Sequence, residues 1–275
     1  MITQFTPYQV EDCLFDEKRT LRFAEAIKKI VKKNDVVVDA GSGTGVLGLL
    51  AAKAGAKKVY CIESNPRFIP IIKANAKTNG FSKIIQAIYG DASKIKLPGK
   101  VNVIIAELMS TGLFYEPQIQ VINHLRKYLV KGGKIIPEKI CSSLQLVNAK
   151  RDLYGLHFDY DARYHQVEGD LALSKEVVFD KIDFTDIVDP ELDRRVIVPA
   201  TRSGLANAVR LYSKAELFPH IWAGESKFLF SPLTIFLDQE ARVAAGQNYR
   251  VRINYERGSD VLDAIVTVKK SVDWI

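Results

Sequence analysis

The sequence is poor in the residues that hold metals or staple secreted domains. Its three cysteines, Cys13, Cys61 and Cys141, are scattered over 275 residues without a C-x-x-C pair. A disulfide framework or thiolate metal site is therefore not expected, and small buried thiols are. The four histidines, His124, His157, His165 and His220, form no ligand-like pair. No apolar run approaches the roughly 20 residues needed to span a bilayer. The opening MITQFTPYQVED lacks the basic-then-apolar plan of a leader. No internal repeat or low-complexity tract stands out. These absences leave a cytoplasmic protein without a membrane partner as the expectation.

What remains is ordinary for a globular enzyme, with 47% hydrophobic and 26% charged residues in a length suited to one large domain or two modest ones. Negative charge is scarce in one region. Residues 1–100 hold 17 Lys and Arg against 9 Asp and Glu, whereas residues 101–275 hold 22 against 23. A basic first half suits nucleic acid or another acidic partner, or simply a lysine-rich solvated surface. The lysines of AIKKIVKK are spaced like the wet face of an amphipathic helix.

The first half alternates between periods. Residues 17–33 read as a helix, VVVDA as a buried parallel strand, GVLGLLAAKAGA as a helix stopping at Gly55, and KKVYCIE as a second strand. Ser64 and Pro66 open a helix that NG at 79–80 ends. KIIQAIYGD and VNVIIAE are third and fourth strands. A helix over 117–131 leads through Gly132-Gly133 to GKIIP, a fifth. Such alternation predicts an α/β Rossmann-like sheet over residues 1–145. Beyond about residue 145, EVVFDKIDF, RRVIVPA, AVRLYSK, SKFLF, LTIFLD, YRVRINYE and DAIVTVK predict a mainly antiparallel β-barrel or sandwich over 146–275. The aromatic stretch LYGLHFDYDARYHQ, 153–166, suits an acceptor cleft, a dimer contact or a packing of barrel on sheet.

The chemistry concentrates in VVVDAGSGTGVLGLL. Gly41, Gly43 and Gly45 follow a strand and precede a helix, where backbone without side chains lets a ligand press close and the helix offers free N–H groups. Glu63 closes the next strand, placed to accept the hydroxyls of a ribose. Gly43, Gly45 and Gly48 also satisfy GxGxxG, the dinucleotide pattern. Asp39 decides between the cofactors: at the strand end it repels a pyrophosphate and welcomes a cationic sulfonium with an α-amino group. S-adenosylmethionine is favoured over NAD.

With these residues in view, VVVDAGSGTGVLGLLAAKAGAKKVYCIE resembles the first two motifs of class I S-adenosylmethionine-dependent methyltransferases, and AAKAGAKKVY-IE in particular the protein arginine methyltransferases. The resemblance covers residues 11 to about 145. It implies that Asp39 and the loop Gly41, Gly43 and Gly45 hold the methionine end and Glu63 the ribose. It further implies that Arg19, in LFDEKRT, pairs with the cofactor carboxylate. In GDAS, Asp91 and the N–H of Ala92 meet the adenine. S-adenosylhomocysteine is then the product.

AELMSTGLFYE, 106–116, resembles the family's double-glutamate loop, a Ser-Glu-Trp-Met-Gly stretch closing on Tyr-Glu. The resemblance implies that Glu107 and Glu116 clamp a guanidinium, whose five donors suit two carboxylates. A competing reading leaves Glu116 as a helix cap. Leu108 and Ser110 stand where the family has Trp and Gly. The family's paired-tyrosine element has no counterpart in ITQFTPYQV. Its Thr-His-Trp loop aligns with LFS, 229–231, while HIW, 220–222, is a displaced lookalike. The expectation is a methyltransferase acting on a cationic or amine nitrogen of a protein or RNA acceptor, with homodimerisation open. An RNA methyltransferase and a non-catalytic cofactor-binding partner are the alternatives. No Asn-Pro-Pro-Tyr turn follows the fourth strand, which counts against base amines. No carboxylate spacing suggests a catechol-type metal site.

Overall fold

The computed structural model describes residues 7–271, and side chains from residue 10 onward. The leader reading at residues 1–6 and most of the ITQFTPYQV comparison lie outside these bounds. Helix α1 (Pro7–Leu14) precedes α2 (Glu17–Ile30), whose buried Phe23, Ala26, Ile27 and Ile30 make one apolar stripe opposite Lys28 and Lys29. Asp16 caps α2 by accepting from the Arg19 N–H at 3.1 Å. Then come β1 (Val36–Ala40), α3 (Val46–Ala54), β2 (Lys58–Glu63), α4 (Phe68–Thr78), β3 (Ile85–Tyr89), β4 (Val101–Ala106), α5 (Gln118–Leu125) and β5 (Leu129–Ile136). Gly55 ends α3 in the left-handed region at φ 112°.

The five strands form a parallel sheet ordered β3-β2-β1-β4-β5. Strand β1 lies between β2 and β4, with Ala40 beside Ile62 and Ala106. The order reverses there, so the loops after β1 and β4 flank the crevice where open α/β sheets bind ligands.

Two expectations in this half need correction. The helix expected over 117–131 ends at Leu125, a single 3-10 turn covers Arg126–Tyr128, and β5 starts at Leu129. The run LVKGGKII is edge-paired against β4, and that pairing overrides the helical spacing of 117–131. Ser64 does not cap α4, which begins at Phe68 without a side-chain cap.

Past the cis peptide Ile136–Pro137 the chain leaves this sheet. Strand β6 (Lys139–Asn148), missed in the sequence, pairs antiparallel with β11 (Val177–Asp183) and β13 (Gly204–Phe218). Between them lie four short strands: β7 (Asp152–Leu153), β8 (Leu156–His157), β9 (Ala162–Tyr164) and β10 (Leu171–Ala172). Strand β12 (Glu191–Pro199) follows β11, and β14 (Ile221–Ala223), β15 (Leu233–Val243), β16 (Asn248–Glu256) and β17 (Ile265–Lys270) complete the set. Strand β13 continues to β15, and β12-β16-β17 make a second antiparallel sheet. Because β17 packs beside β15 and β11 beside β12, the two sheets curl round one core. Leu144, Leu211, Leu233, Val251, Ile253 and Tyr255 fill it. SKFLF, 226–230, is not a strand but a bent loop, because Leu229 and Phe230 turn inward and its backbone bonds elsewhere. Among the described residues no helix is long and apolar enough to cross a membrane.

Candidate active site

A cavity of about 410 Å³ opens at the carboxyl ends of β1, β2 and β4. The glycine loop forms one wall. Gly41, Gly43 and Gly45 all have positive φ, at 74°, 51° and 84°, which glycine alone adopts without strain. Their missing side chains also make room: a Cβ on Gly43 would lie 2.6 Å from Val10 Cγ1, and one on Gly41 would strike Leu108. Glu63 ties this wall together. Its Oε2 accepts from the Gly43 N–H and its Oε1 from the Asn65 N–H, both at 2.8 Å. Asp91 and Ala92 line the far side, and Asp91 Oδ1 is held by the Ser93 N–H at 2.8 Å and hydroxyl at 2.6 Å.

Not every expected residue reaches the cavity. Gly45 shapes the turn but does not line it, and neither does Asp39. Asp39 is 1% exposed and its Oδ2 accepts from the Gly48 N–H at 2.9 Å, pinning the first turn of α3 to β1. Burial pushes its carboxyl up to about 7, against that hydrogen bond. The Asp39 carboxylate is thus turned towards α3 and away from the cavity lining.

The opposite wall is the loop after β4. Glu107 and Glu116 both face the cavity, as do Leu108, Met109 and Tyr115. Arg19, 7% exposed on α2, pairs its Nη1 with Glu107 Oε2 and donates from Nη2 to the Cys13 carbonyl at 2.9 Å. It thereby ties the end of α1 to the glutamate loop. Glu116 caps no helix; its backbone carbonyl, not its carboxylate, accepts from the Gln118 N–H. Burial and then the neighbouring Glu107 charge push the Glu116 carboxyl up to about 8, with Arg19 opposing. Burial likewise raises Glu107. Glu107 and Glu116 thus share a sheltered site with the Arg19 cation, and a cationic guest would draw Glu116 into its charged form.

Several residues at the site were missed. Gln118 is fully buried; its Oε1 accepts from the Leu108 N–H at 3.0 Å and its Nε2 donates to the Ala106 carbonyl at 2.9 Å. It grips the backbone on both sides of Glu107. A buried amide on the apolar face of α5, in QIQVINHL, was the available signal. Phe228 reaches the cavity from the barrel loop whose strand reading hid it. Cys13 lines it too, with a thiol that burial pushes up to about 11, hence un-ionised at neutral pH. HIW does not line the cavity: His220 sits at the turn between β13 and β14 with φ 70°. None of the 153–166 aromatics lines it either, and Tyr154 is 94% exposed.

Comparison with known proteins accords with this geometry. The family profile described as TRM5/TYW2 methyltransferase domain matches residues 9–151, a span that contains the whole glycine loop and both glutamates. The chain is 36% identical over 250 residues to the uncharacterized protein MJ1452 of Methanocaldococcus jannaschii, covering 90% of this chain and 92% of that one. It is 40% identical over 133 residues to the probable protein arginine N-methyltransferase 1.2 of Arabidopsis thaliana, covering 47% of this chain and 36% of the plant protein. It therefore spans only about a third of that relative's length. The Trypanosoma brucei PRMT1 enzyme–prozyme heterotetrameric complex with AdoHcy has the same fold, with a TM-score of 0.76 at 19% identity over 93% of this chain and 95% of that one. The chain belongs to the TRM5/TYW2 methyltransferase domain family. It is a class I S-adenosylmethionine-dependent methyltransferase resembling the protein arginine methyltransferases, built as a Rossmann-like sheet followed by an antiparallel barrel.

Proposed function

We propose that the enzyme methylates a cationic nitrogen, of guanidinium type, presented by a protein acceptor. The observation that carries this is the pair of half-buried carboxylates, Glu107 and Glu116, on the wall facing the glycine loop, with Arg19 as the one cation lining the cavity beside them among the described residues. In this reading the cofactor lies along the glycine loop, where Gly41 and Gly43 line the cavity without side chains. Glu63 and Asp91 hold its ribose and base, Ala92 donates its N–H to the base, and Arg19 takes the carboxylate. Asp39 and Gly45 keep the loop in shape. When bound, S-adenosylmethionine supplies an electrophilic methyl group on a cationic sulfur. Glu107 and Glu116 grip the acceptor fork, keep it planar and direct one nitrogen towards that methyl. The two side chains are positioned before the acceptor arrives, and the proton that Glu116 holds at neutral pH leaves to solvent as the cation enters.

The reading divides the chain into a cofactor half, residues 1–145, and an acceptor-side half, residues 146–275. A homodimer belongs to it as well, since Tyr154 and Leu156 on the β7–β8 hairpin present apolar surface outward. Two variants separate the roles. Glu63→Ala should weaken cofactor binding at least tenfold by calorimetry, about 1.4 kcal/mol. Glu107→Gln should bind the cofactor within a few-fold of the parent and lose transfer. Labelled cofactor incubated with cell extract identifies the acceptor: protease should remove the label and ribonuclease should not. Loss to ribonuclease instead would move the acceptor to RNA, and full turnover in Glu107→Gln would end the clamp proposal.

A further inference from the structure

We infer that the outward face of β12, β16 and β17 binds the phosphate backbone of nucleic acid, at a surface separate from the cavity. Residues paired across the strands share a face, so the register fixes which side chains point outward. Val198, Val251, Ile253 and Val266 point into the barrel core, so Arg195, Arg250, Arg252 and Lys269 point out. The register sets like charges side by side. Arg195 lies directly opposite Arg252, and Arg250 directly opposite Lys269. Like charges across a sheet are destabilising, and a carboxylate at either position would remove the conflict. The one outward carboxylate within the group is Asp193. It accepts from Arg252 Nε at 2.9 Å and Nη2 at 3.0 Å and lies 3.8 Å from Arg195. The Arg252 hydrogen bonds hold its carboxyl below the ordinary range. Arg250 and Lys269 form no ion pair among the described residues. Three positive charges are thus left over on neighbouring strands about 5 Å apart, with two residues, or about 7 Å, between successive outward positions.

The same face is polarised along its length. Glu191 and Glu256 stand opposite each other at the other end of β12 and β16, six residues from Arg250, or about 20 Å away. That acidic end runs on into Gly258 and Ser259, whose backbone bonds to Leu113 and Tyr115 in the glutamate loop. A polyanion seated on the cationic end is kept from the cavity mouth by the acidic end. Nucleic acid on this face is accordingly a docking partner, held apart from the cavity mouth. The two outward rows carry no aromatic side chain for a base to stack on. The contact is therefore to phosphates, independent of sequence and sensitive to salt, and RNA and DNA share the chemistry. The inference stands apart from the acceptor reading, because its test needs no transfer.

Binding of a labelled RNA hairpin and a labelled DNA duplex to the full chain, followed by fluorescence anisotropy between about 50 and 200 mM salt, tests it. Three phosphate contacts predict a log–log salt slope of about −2 to −3. R250E/K269E should weaken both probes by about tenfold or more and flatten the slope by about 2. Calorimetric cofactor binding should be unchanged, which also shows that the variant is folded. K73E/K77E on α4, which reverses two exposed lysines of the basic first half, is the control and should change little. Three results would each overturn the inference: parental affinity in R250E/K269E, an equal loss in K73E/K77E, or displacement of the RNA by polyglutamate at the same charge concentration.

Discussion

Glu116 is the residue at which burial and charge pull hardest on the proposed chemistry. Its carboxyl sits at about 8 in the folded protein against an ordinary value of 4.5, chiefly through burial and then through Glu107. A group whose folded pKa is raised retains a proton that the unfolded chain releases. Its contribution to stability is therefore complete below about pH 4.5 and is lost as pH rises through about 8. Thermal melts should fall across that window in the parent and fall less in Glu116→Gln. A guanidinium needs the carboxylate, so acceptor binding should do the reverse, tightening as pH approaches 8. It should also release protons, measurable by calorimetry of an arginine-containing peptide in buffers of different ionisation enthalpy. Binding that is flat from pH 6 to about 8.5 would remove Glu116 from the clamp. The meeting of Glu63 and Glu107 on one cavity was legible in the sequence, because each stands at the end of a core strand and parallel strands deliver their ends to one edge, whereas Asp91 and Glu116 were legible only through the family resemblance. The pairing of Arg19 with Glu107 was not. It depends on where α2 crosses that edge, and no spacing encodes it.

At the scale of elements, the glutamate loop is fixed by groups outside itself. Gln118 grips the backbone at Ala106 and Leu108 from the first turn of α5. Gly112, Leu113 and Tyr115 all have positive φ, a conformation the two latter residues hold only under constraint. The Ser213 hydroxyl accepts from the Gly112 N–H at 3.0 Å, and the Thr111 hydroxyl donates to the Ser231 carbonyl at 2.6 Å. Gln118→Met keeps the volume and removes both amide bonds, stranding a carbonyl and an N–H beside Glu107. A loss of roughly 2–3 kcal/mol in stability is expected. Transfer should slow by about tenfold or more while cofactor affinity holds, as suits a residue that positions Glu107. Parental turnover at saturating cofactor would show that Glu107 finds its place without it. The strands and helices before the loop were legible from their periods, whereas β6 and SKFLF were not. KICSSLQLVN breaks its alternation at Ser142-Ser143 and Leu146-Val147, and its strand is set by pairing with β11 and β13. SKFLF has the composition of a strand, but Asp16 Oδ2 captures the Ser226 hydroxyl at 2.6 Å and the Phe228 N–H at 2.9 Å. Those bonds fold it over the cavity instead.

The whole molecule sets two cores against one cavity. The parallel sheet, with its own apolar core, presents the glycine loop, while the barrel braces the glutamate loop from behind. Tyr255 of β16 is the clearest brace. It is 4% exposed, its ring stacks on Phe114 at 4.3 Å between centroids, and its hydroxyl donates to the Gly112 carbonyl at 2.6 Å. Tyr255→Phe keeps the stack and leaves a buried carbonyl unpaired. It should cost about 1–2 kcal/mol and lower Tm by a few degrees, roughly 2–4 °C per kcal/mol for a chain of this size. The functional consequence follows from the division of labour. The loop that loses its brace carries Glu107 and Glu116, and the cofactor wall on the other sheet does not touch Tyr255. Acceptor KM should therefore rise and kcat fall in Tyr255→Phe while cofactor Kd stays at the parental value. If cofactor affinity dropped in step with acceptor affinity, the two walls would be behaving as one unit, and the assignment of the barrel to the acceptor side would have to be abandoned.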